Sequence, residues 1–236
     1  PVIPAGPGTP ETFIQSRQPE TATSNHCQKS EKPMVSKRLL LVPTDREIKA
    51  IESLINIPET SVLHRCGFGL LESAIQTARL IQQFQPDSIL LAGIAGSYPN
   101  AGLSIGSAYC FESCSQYGIG SWREKFCSAS DLGFSESAPD SISLNCPEDF
   151  PRSQRLVSVT TAGLFQAPGI RTRYPDASAE DMEGYGVALT ATSFQVPLTI
   201  IRSISNEVGQ PVEHWKIDDA LRQLADSLSE LLQRDS

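Results

Sequence analysis

Ala179-Glu180-Asp181-Met182-Glu183-Gly184-Tyr185 is followed closely by Val196-Pro197-Leu198-Thr199-Ile200-Ile201-Arg202-Ser203-Ile204-Ser205-Asn206. The first run opens an amphipathic stretch with three carboxylates. The second is an apolar strand that ends in polar residues. A helix over 181–194 feeding a strand over 198–205 is the repeating unit of an α/β domain. Ser178-x-x-Asp181 matches a capping box, and acids in a first helical turn are favoured by the helix dipole, so Glu180 and Asp181 read as capping acids. Glu183 sits deeper, between Met182 and Gly184, where an apolar helix face should begin. A carboxylate there can accept hydrogen bonds from two vicinal hydroxyls.

Outward from this unit the same alternation holds. Residues 39–42, 62–65, 88–92, 105–112 and 156–160 read as strands. Residues 46–55 place Ile48, Ile51 and Ile55 on one helical face. Gly67-Phe68-Gly69 leads into a helix with Leu71, Ala74, Ile75, Ala78 and Ile81 at helical spacing. The segment 215–232 is a final helix with Ile217, Leu221, Leu224, Leu228 and Leu231 inward. The expectation is a single-domain α/β/α sandwich with a central mixed sheet over residues 37–236. Residues 1–36 are rich in Pro, Thr, Ser, Gln and Glu and read as a disordered N-terminal extension.

The chain has 236 residues, 39% hydrophobic and 19% charged, with a net charge of −8. That length suffices for one domain with a sizeable core. The acidic balance argues against nucleic acid as a partner, because phosphate binding needs a basic face. No apolar run approaches the roughly 20 residues of a membrane span, and no signal-peptide pattern opens the chain. The six cysteines and three histidines show no zinc spacing, so no metal and no cofactor is expected. The cysteine pattern suits a reducing compartment, and a cytoplasmic location is expected.

Other candidate residues lie at strand ends, where open α/β sheets bind ligands. Glu47, in Thr44-Asp45-Arg46-Glu47-Ile48, follows the first strand and by itself reads as an exposed first-turn acid. Gly93-Ile94-Ala95-Gly96-Ser97 is a tight turn whose glycines would let backbone approach a ligand. Asn206 is a strand-end residue carrying both a donor and an acceptor. Two look-alikes fail on context. Gly67-Phe68-Gly69-Leu70-Leu71-Glu72 puts Glu72 where a dinucleotide fingerprint needs its third glycine. Gly102-Leu103-Ser104-Ile105-Gly106 precedes a strand, whereas a nucleophile elbow follows one.

Taken together, the Met182-Glu183 pair and Arg202-Ser203-Ile204-Ser205-Asn206 resemble signatures of the nucleoside phosphorylase/nucleosidase superfamily. Gly106, Glu112, Tyr117-Gly118-Ile119-Gly120, Asp131-Leu132-Gly133-Phe134 and Trp215 extend the likeness over residues 39–232, towards the futalosine hydrolase branch. The resemblance implies hydrolysis of the N-ribosidic bond of futalosine with release of hypoxanthine, in menaquinone biosynthesis. Neighbouring possibilities are a methylthioadenosine/S-adenosylhomocysteine nucleosidase, a phosphorolytic purine nucleoside phosphorylase and a non-catalytic nucleoside-binding protein. The implied partner is a small nucleoside, and the implied state is a homo-oligomer.

Carried onto this chain, the resemblance makes Glu47 and Asn206 catalytic. Glu47 would activate water and Asn206 would stabilise the departing base. Met182 and Glu183 would hold ribose. Ala92, Gly93, Gly163, Leu164, Phe165 and Ser205 would form the nucleoside pocket. Related phosphorylases carry an arginine just before the Gly93 loop to hold phosphate, where this chain has Leu90 and Leu91, so water is the expected nucleophile. Relatives that cleave adenine nucleosides carry Asp at the position of Asn206. An amide there suits a 6-oxopurine. Tyr185 stands where a small residue is usual and Gln116 where an acid is common.

Overall fold

The computed structural model describes residues 37–122, 124–134, 138–163 and 167–234. The expectations placed on residues 1–36, on Leu164 and on Phe165 lie outside the described residues.

The chain runs β1 (Arg38–Val42), α1 (Asp45–Leu54), β2 (Ser61–Arg65), α2 (Gly69–Phe84), β3 (Ser88–Ser97) and β4 (Ala108–Tyr117). It continues through β5 (Gly120–Trp122), β6 (Phe126–Ser128), β7 (Ser141–Ser143), β8 (Arg152–Val159), α3 (Ala167–Arg173) and β9 (Ala177–Asp181). It closes with α4 (Gly184–Ser193), β10 (Leu198–Glu207) and α5 (Ile217–Arg234). The sheet is mixed, as expected. Its order is β10-β4-β8-β9-β3-β1-β2, and β10 also pairs with β3. That extra pairing closes β3, β10, β4, β8 and β9 into a ring from which β1 and β2 extend.

Helices cover both faces. Ile51 of α1 and Leu221, Leu224 and Leu228 of α5 pack with Leu40, Leu90 and Ile201 of the sheet. On the other side α2 and α4 pack with Leu39, Leu91, Phe111, Leu156 and Ile200. Within β1 and β3 the runs 39–42 and 89–92 are apolar without alternation because both of their faces are covered.

The residues 93–97 read as a tight turn are the second half of β3, kept extended by pairing with β10, and three further expectations are corrected. Residues 177–181 form a strand, and the helix expected from 181 begins at Gly184. Asp181 still caps it, accepting from the Gly184 N–H at 2.9 Å. The segment is extended because β8 and the end of β3 pair with it on either side. The strand expected over 105–112 spans Ala108–Tyr117, where β7 and β8 provide partners. Finally, α2 buries Ser73, Thr77, Leu80 and Ile81, while Leu71 and Ile75 are exposed. Small residues face α4 because the two helices nearly touch. A Cβ on Gly186 would stand 2.4 Å from the Leu70 carbonyl oxygen.

Candidate active site

A cavity of about 420 Å³ opens where the C-terminal ends of β1, β3 and β10 meet the start of α4. Four carboxylates line it, from Glu47, Glu180, Asp181 and Glu183, and all four residues are buried. Asn206, Met182, Gly163 and Ser205 share the same walls. Among the described residues no group of His, Cys, Asp and Glu is arranged to hold a metal ion. A buried guanidinium stands among three of the carboxylates, those of Glu47, Asp181 and Glu183.

That guanidinium is Arg202. It has no exposed surface, donates from Nε to Asp181 Oδ2 at 3.1 Å, and reaches Glu183 Oε2 from Nη2 at 3.5 Å. Its Nη1 has no hydrogen-bond partner. Room for it comes from Gly93, where a Cβ would stand 2.0 Å from Nη1 and 2.9 Å from Glu47 Oε1. Asp181 is further held by the Ser158 hydroxyl at 2.6 Å. Glu180 and Asp181, read in the sequence as first-turn acids, are therefore interior strand residues with long-range partners.

Glu47 is not the exposed acid that its helix position suggests. It is the fourth member of a capping box in which Thr44 N–H and Thr44 Oγ1 donate to Oε2, at 2.9 and 2.6 Å. One oxygen is thereby fixed, and Oε1 lies towards Arg202 above Gly93. Burial raises the Glu47 pKa, against the opposing pull of Thr44 and Arg202.

Glu183 stands at the N-cap of α4. Its Oε1 accepts from the Gly69 N–H at 3.1 Å, the first turn of α2. Gly69 has φ +80° and Gly67 has φ +93°, so the glycines of the rejected dinucleotide look-alike serve to aim a helix N-terminus at this acid. Burial pushes the Glu183 carboxyl up to about 7, with Arg202 opposing the rise and Asp181 adding to it.

A register shift in the β10–β3 pairing between Ile204 and Asn206 marks a bulge at Ser205. Bulges re-aim side chains, and here Asn206 is turned over Gly96. Ser205 Oγ lies 2.8 Å from Asn206 Oδ1, and Nδ2 donates to the Glu207 carbonyl at 3.1 Å. These contacts fix the amide with its nitrogen carrying one hydrogen to spare.

Two expected pocket residues lie elsewhere. Ala92 is fully buried in the core beneath α1 and α5, and Gly93 makes space for Arg202 and Glu47 and is not on the cavity wall. Tyr185 also points away from the cavity, donating to the Pro139 carbonyl, and Gln116 lies outside it on β4. Leu90 and Leu91 are core residues. A cation does reach the cavity mouth from an unexpected place. Arg46 lines it while paired with Asp218 at 2.6 Å. Trp215 and the exposed Phe68 complete the mouth.

A family model described as the phosphorylase superfamily matches residues 53–234, well over half of the chain. The chain belongs to the phosphorylase superfamily. Futalosine hydrolase of Streptomyces coelicolor is 29% identical to it over 193 residues, covering 76% of this chain and 81% of that protein. The 5'-methylthioadenosine/S-adenosylhomocysteine nucleosidase of Desulfotalea psychrophila is 27% identical over 169 residues, covering 62% and 66%. The solved futalosine hydrolase of Helicobacter pylori strain 26695 superposes with a TM-score of 0.70 at 20% identity, over 85% of this chain and 99% of that one. At that identity the likeness concerns the fold. Both named kinds of relative are nucleosidases, in agreement with the class expected for this superfamily member, an N-glycosyl hydrolase. No helix among the described residues is long and apolar enough to cross a membrane.

Proposed function

We propose that this protein hydrolyses the N-ribosidic bond of futalosine and releases hypoxanthine, a step of menaquinone biosynthesis, through the unit formed by residues 37–236. The observation that carries the reading is the convergence of Glu47, Glu183 and Asn206 on one cavity, from three elements distant in sequence. Glu183 accepts from the 2′ and 3′ hydroxyls of ribose, with Met182 against the sugar. Glu47 takes a proton from water as that water attacks the anomeric carbon. Cleavage of a ribosyl bond passes through an oxocarbenium-like state, so carboxylates on the sugar side also offset its positive charge. The spare hydrogen on Asn206 Nδ2 stabilises negative charge on the departing base.

Methylthioadenosine/S-adenosylhomocysteine nucleosidases are the more frequent of the two among the named relatives, and Asn206 is what favours a 6-oxopurine here. The test is incubation of the purified chain with futalosine, inosine and methylthioadenosine, each with and without phosphate, with the released base separated and quantified. Hypoxanthine from futalosine at a rate independent of phosphate is the expected result. Adenine release from methylthioadenosine at a higher kcat/KM would replace this reading with the other nucleosidase. An absolute need for phosphate would replace hydrolysis with phosphorolysis.

A further inference from the structure

Most of the cavity wall repels anions. Glu47, Glu180, Asp181 and Glu183 all face it, and the net charge of the chain is −8. Among the described residues that line it, Arg46 is the one cation, and it stands at the mouth.

The stability of α1 does not explain this arginine. Arg46 lies in the first turn, between Asp45 and Glu47, where the helix dipole disfavours a positive charge. Its Nη2 donates to Asp218 Oδ1 at 2.6 Å, in the first turn of α5, and the two side chains are 57% and 78% exposed. An ion pair so open to solvent adds little to stability, and opening it costs correspondingly little. A guanidinium is a fork of several N–H donors, so most of those on Arg46 are left for another acceptor.

The wall that leads to Arg46 is apolar. Asp218 directly follows the segment 211–217, which supplies Pro211, Val212, Trp215 and Ile217 to the lining, and Phe68 adds an exposed ring. The segment is pinned in place. The Lys216 N–H donates to the Ser205 carbonyl at 2.8 Å, and Trp215 Nε1 donates to the Gln210 carbonyl at 3.0 Å. With the diol at Glu183, the anomeric carbon at Glu47 and the base at Asn206, this apolar wall and its cation remain for the 5′ carbon of ribose.

We propose that Arg46 is a specificity-determining residue that binds a carboxylate carried at the tip of an otherwise apolar arm on the 5′ carbon of the nucleoside. The proposal rests on the nucleosidase reading above and deepens it by naming the chemistry of the 5′ substituent. Four carboxylates repel such a tip from the inner cavity and Arg46 attracts it outward, so the charge pattern also orients the arm. Asp218 shares the guanidinium with the incoming carboxylate, Arg46 offering a donor to each.

The probes are 5′-S-(3-carboxybenzyl)-5′-thioinosine, the matching 5′-thioadenosine, and the carboxamide counterpart of each. The readout is kcat/KM for base release, compared between acid and amide on the same base. Wild type should favour the acid by about 5- to 30-fold, towards the low end for a charged hydrogen bond because Arg46 is half-exposed. The preference should fade as ionic strength rises to about 1 M, where the Debye length is about 3 Å. Arg46→Gln should lose the preference, and Asp218→Asn, which frees the guanidinium, should keep or widen it. Equal kcat/KM for acid and amide in the wild type overturns the proposal without any variant having to fold. So does an Arg46→Gln that keeps the wild-type ratio, or an Asp218→Asn that loses it. The same fork also suits inorganic phosphate. Stimulation of amide cleavage by phosphate that disappears in Arg46→Gln would assign Arg46 to phosphate and overturn the proposal. An acid preference seen with the adenine nucleosides alone supports the role of Arg46 and sinks only the choice of a 6-oxopurine. Release of base from none of the probes overturns both readings.

Discussion

Arg202 donates to Asp181 through both Nε and Nη2, crossing β3 above Gly93 to join β10 to β9, and the two side chains are 0% and 1% exposed. The pair fixes the floor on which Glu183 and Glu47 are placed. Burial disfavours the charged guanidinium, but the three surrounding carboxylates raise the Arg202 pKa above its ordinary value. Asp181→Ala leaves that cation buried and short of its main acceptor. The expected loss of unfolding free energy is about 3–5 kcal/mol, the usual cost of removing one partner of a buried pair, measured by urea denaturation.

Gly93→Ala tests the same arrangement from below. The added Cβ would meet Arg202 Nη1 at 2.0 Å, and the guanidinium cannot retreat because Asp181 holds its other side. Overpacking of this kind costs about 1–3 kcal/mol. Activity should fall further than stability, since Glu47 Oε1 borders the same space. A variant with wild-type melting and turnover would show that Arg202 is freer than its contacts imply.

Glu47→Gln should lower turnover about 10²- to 10⁴-fold while leaving affinity for substrate analogues within a few-fold. The amide oxygen can still accept from Thr44, so the cap on α1 survives and thermal unfolding should change little. Because burial raises the Glu47 pKa, the acid limb of the wild-type kcat/KM profile should lie above the ordinary carboxylate range. A limb near pH 4, or near-normal turnover in the variant, would remove Glu47 from the water-activating role.

Glu183→Gln should weaken ribose recognition, seen as a raised KM, because one acceptor becomes a donor. It also carries a stability signature. The folded pKa, about 7, is above the unfolded value of about 4.5, so the folded chain binds the proton more tightly. The stability this contributes is fully present below pH 4.5 and is lost as pH rises through 7. Removing the titrating group should make the variant more stable than wild type above pH 7, by roughly 1–3 kcal/mol, and the gap should close towards pH 4.5. Parallel stability profiles for the two proteins would contradict that assignment.

Asn206→Asp replaces a donor with an ionised acceptor at the base edge. Futalosine cleavage should fall by roughly 10²- to 10³-fold, by analogy with lost oxyanion-hole donors. When protonated, the same carboxyl can donate to a base nitrogen, so relative activity on a 6-amino analogue should rise at lower pH. The check is the ratio of kcat/KM for the two nucleosides across pH in both proteins. A constant ratio would move base selection away from Asn206.

The elements legible in the sequence were those whose pattern is set by nearest neighbours. Apolar runs such as Leu39–Val42 and the heptad-like spacing of Leu221, Leu224 and Leu228 need only a core to bury against, so their periodicity announces them. Glu47, Glu183 and Asn206 could be marked because their types and spacing match a known constellation. Ala177–Asp181 could not be read as a strand. Two adjacent acids are tolerated inside a sheet because Tyr98, Arg202 and Ser158, none nearer than 20 residues in sequence, supply most of their hydrogen bonds. The same holds for α2, where the apolar stripe of Leu71 and Ile75 faces outward and Ser73 and Thr77 face α4, because Gly186 allows that helix so close. Local sequence determined which segments are helices and strands wherever burial is one-sided and regular. Which carboxylates are buried at the cavity, and with which partners, was decided by the tertiary structure, since the free energy of a buried charge depends on partners that only the folded chain brings to it.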